Sequence, residues 1–236
     1  RQRQMCIRDR NYTHKDYVSI KIKIEEQIML EVIILTIIPD LTKEEYKILL
    51  PLVASEKQKQ IKRFRYFQDA RNCLLGDILV RAEICRISNF LNNQLVFSTN
   101  IYGKPMLINN PQIHFNISHK YHYVVCAISD KPVGIDIEVI KSIDMAIANR
   151  FFTPYEIEYI NKCNKKQRFY EIWTKKEAQI KWEGKGLYKP LNSFCVLDLK
   201  KPFIYHQVFH NREAICHVYS LSLIHISEPT RLLSIS

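Results

Sequence analysis

Ten residues, MLEVIILTII (Met29–Ile38), are almost unbroken in apolar character and stop at Pro39-Asp40, which predicts a β-strand over about 30–38. The spacing then lengthens to threes and fours. It predicts helices at about 42–53, 55–64 and 68–91, with Gly76 interrupting the third. Short strands are expected near Leu95–Ser98, His114–Ile117 and Tyr123–Ile128, with the turn-like YGKP (Tyr102–Pro105) among them. After DKPVG (Asp130–Gly134) a new strand begins at GIDIEVI. Helices are expected near 143–151, 154–163 and 166–183, and strands near 194–199, 203–209 and 213–219. Each half runs from strand to helices with further sheet nearby. The pattern therefore predicts an α+β (mixed α/β) fold in two lobes of similar size, with Lys131-Pro132 as the link.

The two ends change the limits of this reading. LSLIHISEPTR (Leu221–Arg231) and MCIRD (Met5–Asp9) are translations of one DNA element read from its two strands, similar to a sequencing-library transposase adapter. Residues 1–10 and 221–236 are expected to be foreign scars and 11–28 a non-native leader. That leaves lobes at 29–130 and 131–220.

Charge narrows the partners. The chain of 236 residues carries a formal +11, and residues 29–220 alone hold 27 Lys+Arg against 19 Asp+Glu. A polyanionic partner or ligand is implied. Seven cysteines without CxxC spacing fit the reduced thiols of a cytoplasmic protein, and the longest apolar run, Val32–Ile38, is too short to cross a bilayer.

Candidate chemistry sits in the second half. In VGIDIEVI (Val133–Ile140), alternation puts Asp136 and Glu138 on one face and Ile135, Ile137 and Val139 on the other. This is either an amphipathic strand with a solvated acidic face or a carboxylate pair that needs a cation. Oxygen-only ligands suit Mg²⁺. In WTKKEAQIKWEGKGL (Trp173–Leu187), the stripe Phe169, Ile172, Trp173, Ile180 carries positions 176 and 177 inward, so Glu177 could complete the set. Two plainer readings stay open, an i,i+4 pair with Lys181 and a capping box from Thr174. Ser118 and His119 lie where the strand HFNISHK ends, and Lys104 sits on the YGKP turn. A lone His is more often structural, and turn lysines are usually solvated.

Together, FNISH, GIDIE, FFTPYE and WTKKEAQIKWEGKGL resemble, in order and spacing, the 4′-phosphopantetheinyl transferases of the surfactin-synthetase-activator (Sfp) type. KRF (Lys62–Phe64), LLGDILVR (Leu74–Arg81) and YGKP extend the likeness from about Met29 to Val196. The resemblance implies a cytoplasmic monomer of two pseudo-symmetric lobes with coenzyme A in the cleft between them. It implies transfer of phosphopantetheine to a serine of an apo acyl or peptidyl carrier protein, with release of adenosine 3′,5′-bisphosphate. By motif matching, Asp136, Glu138 and Glu177 would hold Mg²⁺, and Lys181 would meet the pyrophosphate. Ser118, His119 and Lys104 would contact coenzyme A phosphates, with Lys57 at its 3′-phosphate. Glu156 has two readings: the capping box of Thr153-Pro154-Tyr155-Glu156, and the general base at the family's FF-x-x-x-E position.

The chain departs from the family pattern in three places. Asn72 and Cys73 stand where Arg and Thr or Ser are usual, and Gln60 stands at a basic position. Two other classes compete: a basic nucleic-acid-binding protein, and a magnesium-dependent nuclease or phosphohydrolase using the same acids. Neither nucleic acid nor membrane is the expected partner.

Overall fold

The computed structural model describes residues 17–24, 28–38, 40–197, 203–210, 213–221 and 225–226. The apolar run at 29–38 becomes β2 (Ile28–Thr36), and both faces of that strand are covered. Leu30, Val32 and Ile34 enter one core, while Ile33 and then Ile37 enter another. Burial on two sides is why the run does not alternate. β2 lies in a five-stranded antiparallel sheet with β1 (Tyr17–Ile24), β5 (His114–Lys120), β6 (Tyr123–Ser129) and β10 (His225–Ile226), ordered β10-β1-β2-β6-β5. A second sheet has the order β7-β9-β8, from β7 (Gly134–Val139), β8 (Phe203–His210) and β9 (Ala214–Leu221).

The three cores define the layering. Helices α1 (Lys43–Leu49), α2 (Ser55–Ile61) and α3 (Phe67–Ser88) cover one face of the first sheet. The other face packs on the second sheet through Val32, Val125, Ile135, Ile137, Cys216 and Val218. Helices α4 (Ala146–Phe151), α5 (Pro154–Lys162) and α6 (Lys165–Glu183) enclose the third core with Ile215, Leu191 and Val196. The order is helix, sheet, sheet, helix, a mixed α/β fold. A small hairpin, β3 (Phe97–Thr99) with β4 (Pro105–Leu107), carries the YGKP turn at its tip.

Several expected elements differ. β1 was placed outside the fold from sequence, yet it pairs with β2 from Tyr17↔Leu35 to Ile24↔Ile28. Its sequence YVSIKIKI alternates apolar and polar residues, a strand signal in its own right. β10 also falls in a segment set aside as foreign. The expected strand at 194–199 is irregular over 194–197, and the remainder lies outside the described residues. Its backbone groups go elsewhere: the Leu191 and Phe194 carbonyls accept from Lys176, and the Val196 N–H donates to Glu156. The helix expected at 42–53 ends at Leu49 and passes into a 3₁₀ turn containing Pro51. Gly76 does not interrupt α3. A Cβ there would lie 3.0 Å from Ile117 Cγ2, so the glycine lets the helix settle on β5.

Candidate active site at the seam of two sheets

β5 and β7 are the end strands of their sheets, and their unpaired edges face each other. Side chains bridge them: Ile135 N–H donates to Asn116 Oδ1 at 2.9 Å, and Ile137 N–H to Ser118 Oγ at 3.4 Å. Alternation leaves Asp136 and Glu138 on the opposite face of β7 from the apolar residues, toward α6. Gly134 sets how close that helix comes, since a Cβ there would meet Ala178 O at 2.0 Å. Because the backbones nearly touch, Glu177 and Lys181 of α6 arrive beside the acids of β7.

The resulting cluster is tightly bonded. Lys181 Nζ lies 2.6 Å from Asp136 Oδ1 and donates to Ser118 Oγ at 2.9 Å, while Ser118 Oγ–H donates to Asp136 Oδ1 at 2.8 Å. Asp136 Oδ2 is buried and has no hydrogen-bond partner among the described residues. Lys120 Nζ is 2.9 Å from Glu138 Oε2. These side chains, with His119, line an open cleft of about 230 Å³. A larger groove of about 490 Å³ beside α5, lined by Tyr155 and Cys195, holds none of them.

Neighbouring charge shapes the ionisable groups. Burial and then repulsion from Asp136 and Glu138 raise the Glu177 carboxyl above its ordinary range, against the pull of Lys181. Burial also raises Glu138, opposed by its bond to Lys120. His119 is held below its usual value by desolvation and then by Lys181, with Lys57 adding to the effect. Lys57 also stands beside the half-buried Cys73, whose thiol is raised by burial and lowered by that ammonium. Lys57 and Lys181 therefore form one positive neighbourhood around an imidazole that they help keep neutral.

Not every expected residue joins it. Lys104 lies away from the cleft lining. Its ammonium donates to Trp182 O at 3.0 Å and Val133 O at 3.2 Å, and burial lowers it to about 8. Together with Asn100 Nδ2, which donates to Gly184 O at 2.8 Å, it clasps the end of α6. Glu156 is also elsewhere. Its side chain is 0% exposed, 2.8 Å from the equally buried Lys176, and accepts from the Thr153 and Val196 N–H groups. The capping reading of Glu156 is therefore the one its contacts support. The two plainer readings of Glu177 are not met: the ammonium of Lys181 goes to Asp136, and Thr174 sits inside α6, its hydroxyl donating to Tyr170 O.

The sequence reading passed over two lysines. Lys176, not Glu177, fills the centre of the apolar stripe at 1% exposure, as its spacing of three and four from Trp173, Ile172 and Ile180 would indicate. Lys120 stands two residues after Ser118, on the same face of β5. The departures at 71–73 also acquire a role. Arg71 and Asn72 both donate to Tyr121 O, at 2.7 and 3.0 Å, while Arg71 pairs with Asp40. They hold the turn after Lys120, where Tyr121 takes a φ of 51°.

The cleft thus combines paired acids with two lysines on its wall. Comparison with known proteins gives the class. Residues 132–230 match the model of the 4′-phosphopantetheinyl transferase superfamily, and residues 40–131 that of the 4′-phosphopantetheinyl transferase N-terminal region. Over 159 residues the chain is 42% identical to 4′-phosphopantetheinyl transferase Sfp of Bacillus subtilis (strain 168), covering 66% of this chain and 71% of that one. It is 42% identical over 173 residues to 4′-phosphopantetheinyl transferase gsp of Aneurinibacillus migulanus, covering 71% of each. The chain belongs to the 4′-phosphopantetheinyl transferase family. The nucleic-acid and phosphohydrolase readings gain no support from these relatives.

Proposed function

We propose that this chain transfers the 4′-phosphopantetheine group of coenzyme A to a serine hydroxyl of an apo acyl or peptidyl carrier protein, releasing adenosine 3′,5′-bisphosphate. The observation that carries the reading is the seam itself: Lys181 bridges Ser118 and Asp136 beside two further acids, within a family of 4′-phosphopantetheinyl transferases.

The acids suit a magnesium ion. All donors are carboxylate oxygens, and Asp136 Oδ2 is a buried acceptor without a partner. Among the described residues no three acidic, His or Cys side chains are drawn up as a ready metal cluster, and Lys120 and Lys181 pair with Glu138 and Asp136. Asp136, Glu138 and Glu177 would hold the ion, which when bound would draw charge from the pyrophosphate.

The chain's own side chains do the rest. Lys181, fixed by two hydrogen bonds, presents its charge where negative charge grows on the leaving bisphosphate. Ser118 and His119 offer a hydroxyl and an imidazole to the phosphates, and Lys57 suits the 3′-phosphate. Glu177, or a water beside it, would accept the serine proton. The polar atoms of Lys104 and Glu156 are engaged with two carbonyls and with Lys176, so the reading leans on Lys181, Ser118, His119 and Glu177 instead. The reading carries with it a monomer acting in the cytoplasm, in keeping with the free cysteines among the described residues. No described helix is long and apolar enough to cross a membrane.

Incubating the protein with a fluorescent coenzyme A conjugate, Mg²⁺ and a panel of apo carrier proteins tests the reading. Label on a carrier serine, lost with EDTA, is the expected result. No label on any carrier, with the conjugate left intact, would contradict it.

A further inference from the structure

Two lysines line the cleft, and the reading above employs only Lys181. Lys120 lies at 2.9 and 3.2 Å from the two oxygens of Glu138, its one hydrogen-bonding partner among the described residues. The two differ in how firmly they are held. Lys181 is gripped by Asp136 and Ser118 with its side chain 27% exposed, whereas that of Lys120 is 34% exposed on a flexible stem. The backbone beneath Lys120 is fixed, because Arg71 and Asn72 hold the next carbonyl, that of Tyr121. Any movement of Lys120 is therefore confined to its side chain.

Charge counting gives that movement a direction. Asp136, Glu138 and Glu177 bring three negative charges into mutual range, and Lys120 and Lys181 return two positive ones. A divalent cation among the acids leaves Lys120 as the surplus charge at Glu138, repelled by the ion it adjoins. We infer that Lys120 is a resident counter-ion of Glu138 that competes with the divalent cation and, once displaced, turns its ammonium to the ligand's phosphates. The inference rests on the metal-dependent transfer proposed above. It makes Lys120 a residue that affects cation binding and coenzyme A binding in opposite directions.

Lys120→Gln keeps the length and removes the charge. The test titrates Mn²⁺, followed by its electron paramagnetic resonance signal, into the full chain without coenzyme A. It separately measures KM for coenzyme A at saturating Mg²⁺. Lys120→Gln is expected to bind Mn²⁺ roughly threefold to tenfold more tightly and to raise KM by a similar factor. General damage to the site would weaken both, and that result overturns the inference, as does no change in either. If Mn²⁺ binds wild type and is lost in Asp136→Asn, but Lys120→Gln matches wild type, the inference falls alone. If wild type binds no Mn²⁺ with or without coenzyme A, it falls together with the metal part of the proposed function.

Discussion

Two lysines of helix α6, five residues apart, pair with carboxylates of other elements, and the two pairs face opposite fates. Lys176 and Glu156 are 1% and 0% exposed, and the remaining donors and acceptors around them are taken by Leu191 O, Phe194 O and the Val196 N–H. Lys181 and Asp136 stand at the rim of a cleft, and one oxygen of Asp136 is left without a partner. The first pair is saturated and can only hold α5, α6 and the 191–196 segment together. The second keeps unused bonding capacity in the buried Asp136 Oδ2, directly behind the cleft lining. Unspent polar capacity, more than burial or charge, separates the reactive pair from the structural one.

The largest expected effect falls on the saturated pair. Lys176→Met leaves Glu156 charged and uncompensated in the core, and should cost about 3–5 kcal/mol in urea unfolding. Replacing both partners by apolar residues should recover much of that. The open pair should respond the other way round. Lys181→Ala is expected to change stability by no more than about 1 kcal/mol, yet to lower kcat on the order of 10²–10³-fold in steady-state kinetics. Arginine should rescue it only in part, because a planar fork replaces a compact ammonium.

Lys104 sharpens the comparison as a buried ammonium bonded to carbonyls rather than to an acid. Its folded value of about 8 lies below the 10.5 of the free side chain, so the unfolded chain binds more protons between these limits. Stability therefore rises with pH across that window, by about 3 kcal/mol from this residue. Below pH 8 the cost of holding the charge is constant. Lys104→Met should flatten the rise in unfolding curves taken between pH 8 and 10.5. Smallest of all is the exposed Lys162–Glu158 pair on α5, 3.3 Å apart, where Lys162→Ala should shift stability by under about 0.5 kcal/mol.

These pairs also show what was readable in advance. The alternation of GIDIE and the helical stripe of α6 are local periods, so the face carrying Asp136 and Glu138 and the approach of Glu177 followed from residue order alone. Period does not say which of two neighbours fills the stripe's centre. That depends on Glu156, twenty positions earlier, and on carbonyls of a loop that follows. The same loop looked like a strand because nothing local reveals that its backbone groups bond to Lys176 and Glu156. Lys104 was expected at the coenzyme A phosphates by resemblance, or solvated as turn lysines usually are; its burial comes from the hairpin folding across to the end of α6. The strand at 17–24 differs: the alternation of YVSIKIKI is a local signal, legible in the sequence ahead of Met29.

The central claim is that the seam between β5 and β7 is the transfer site, organised by Asp136. The most direct measurement compares wild type with Asp136→Ala in transfer from coenzyme A to an apo carrier protein, with thermal unfolding followed on the same samples. The account predicts that transfer is abolished while the cooperative unfolding transition is kept. An Asp136→Ala protein that transfers phosphopantetheine at the wild-type rate would contradict it.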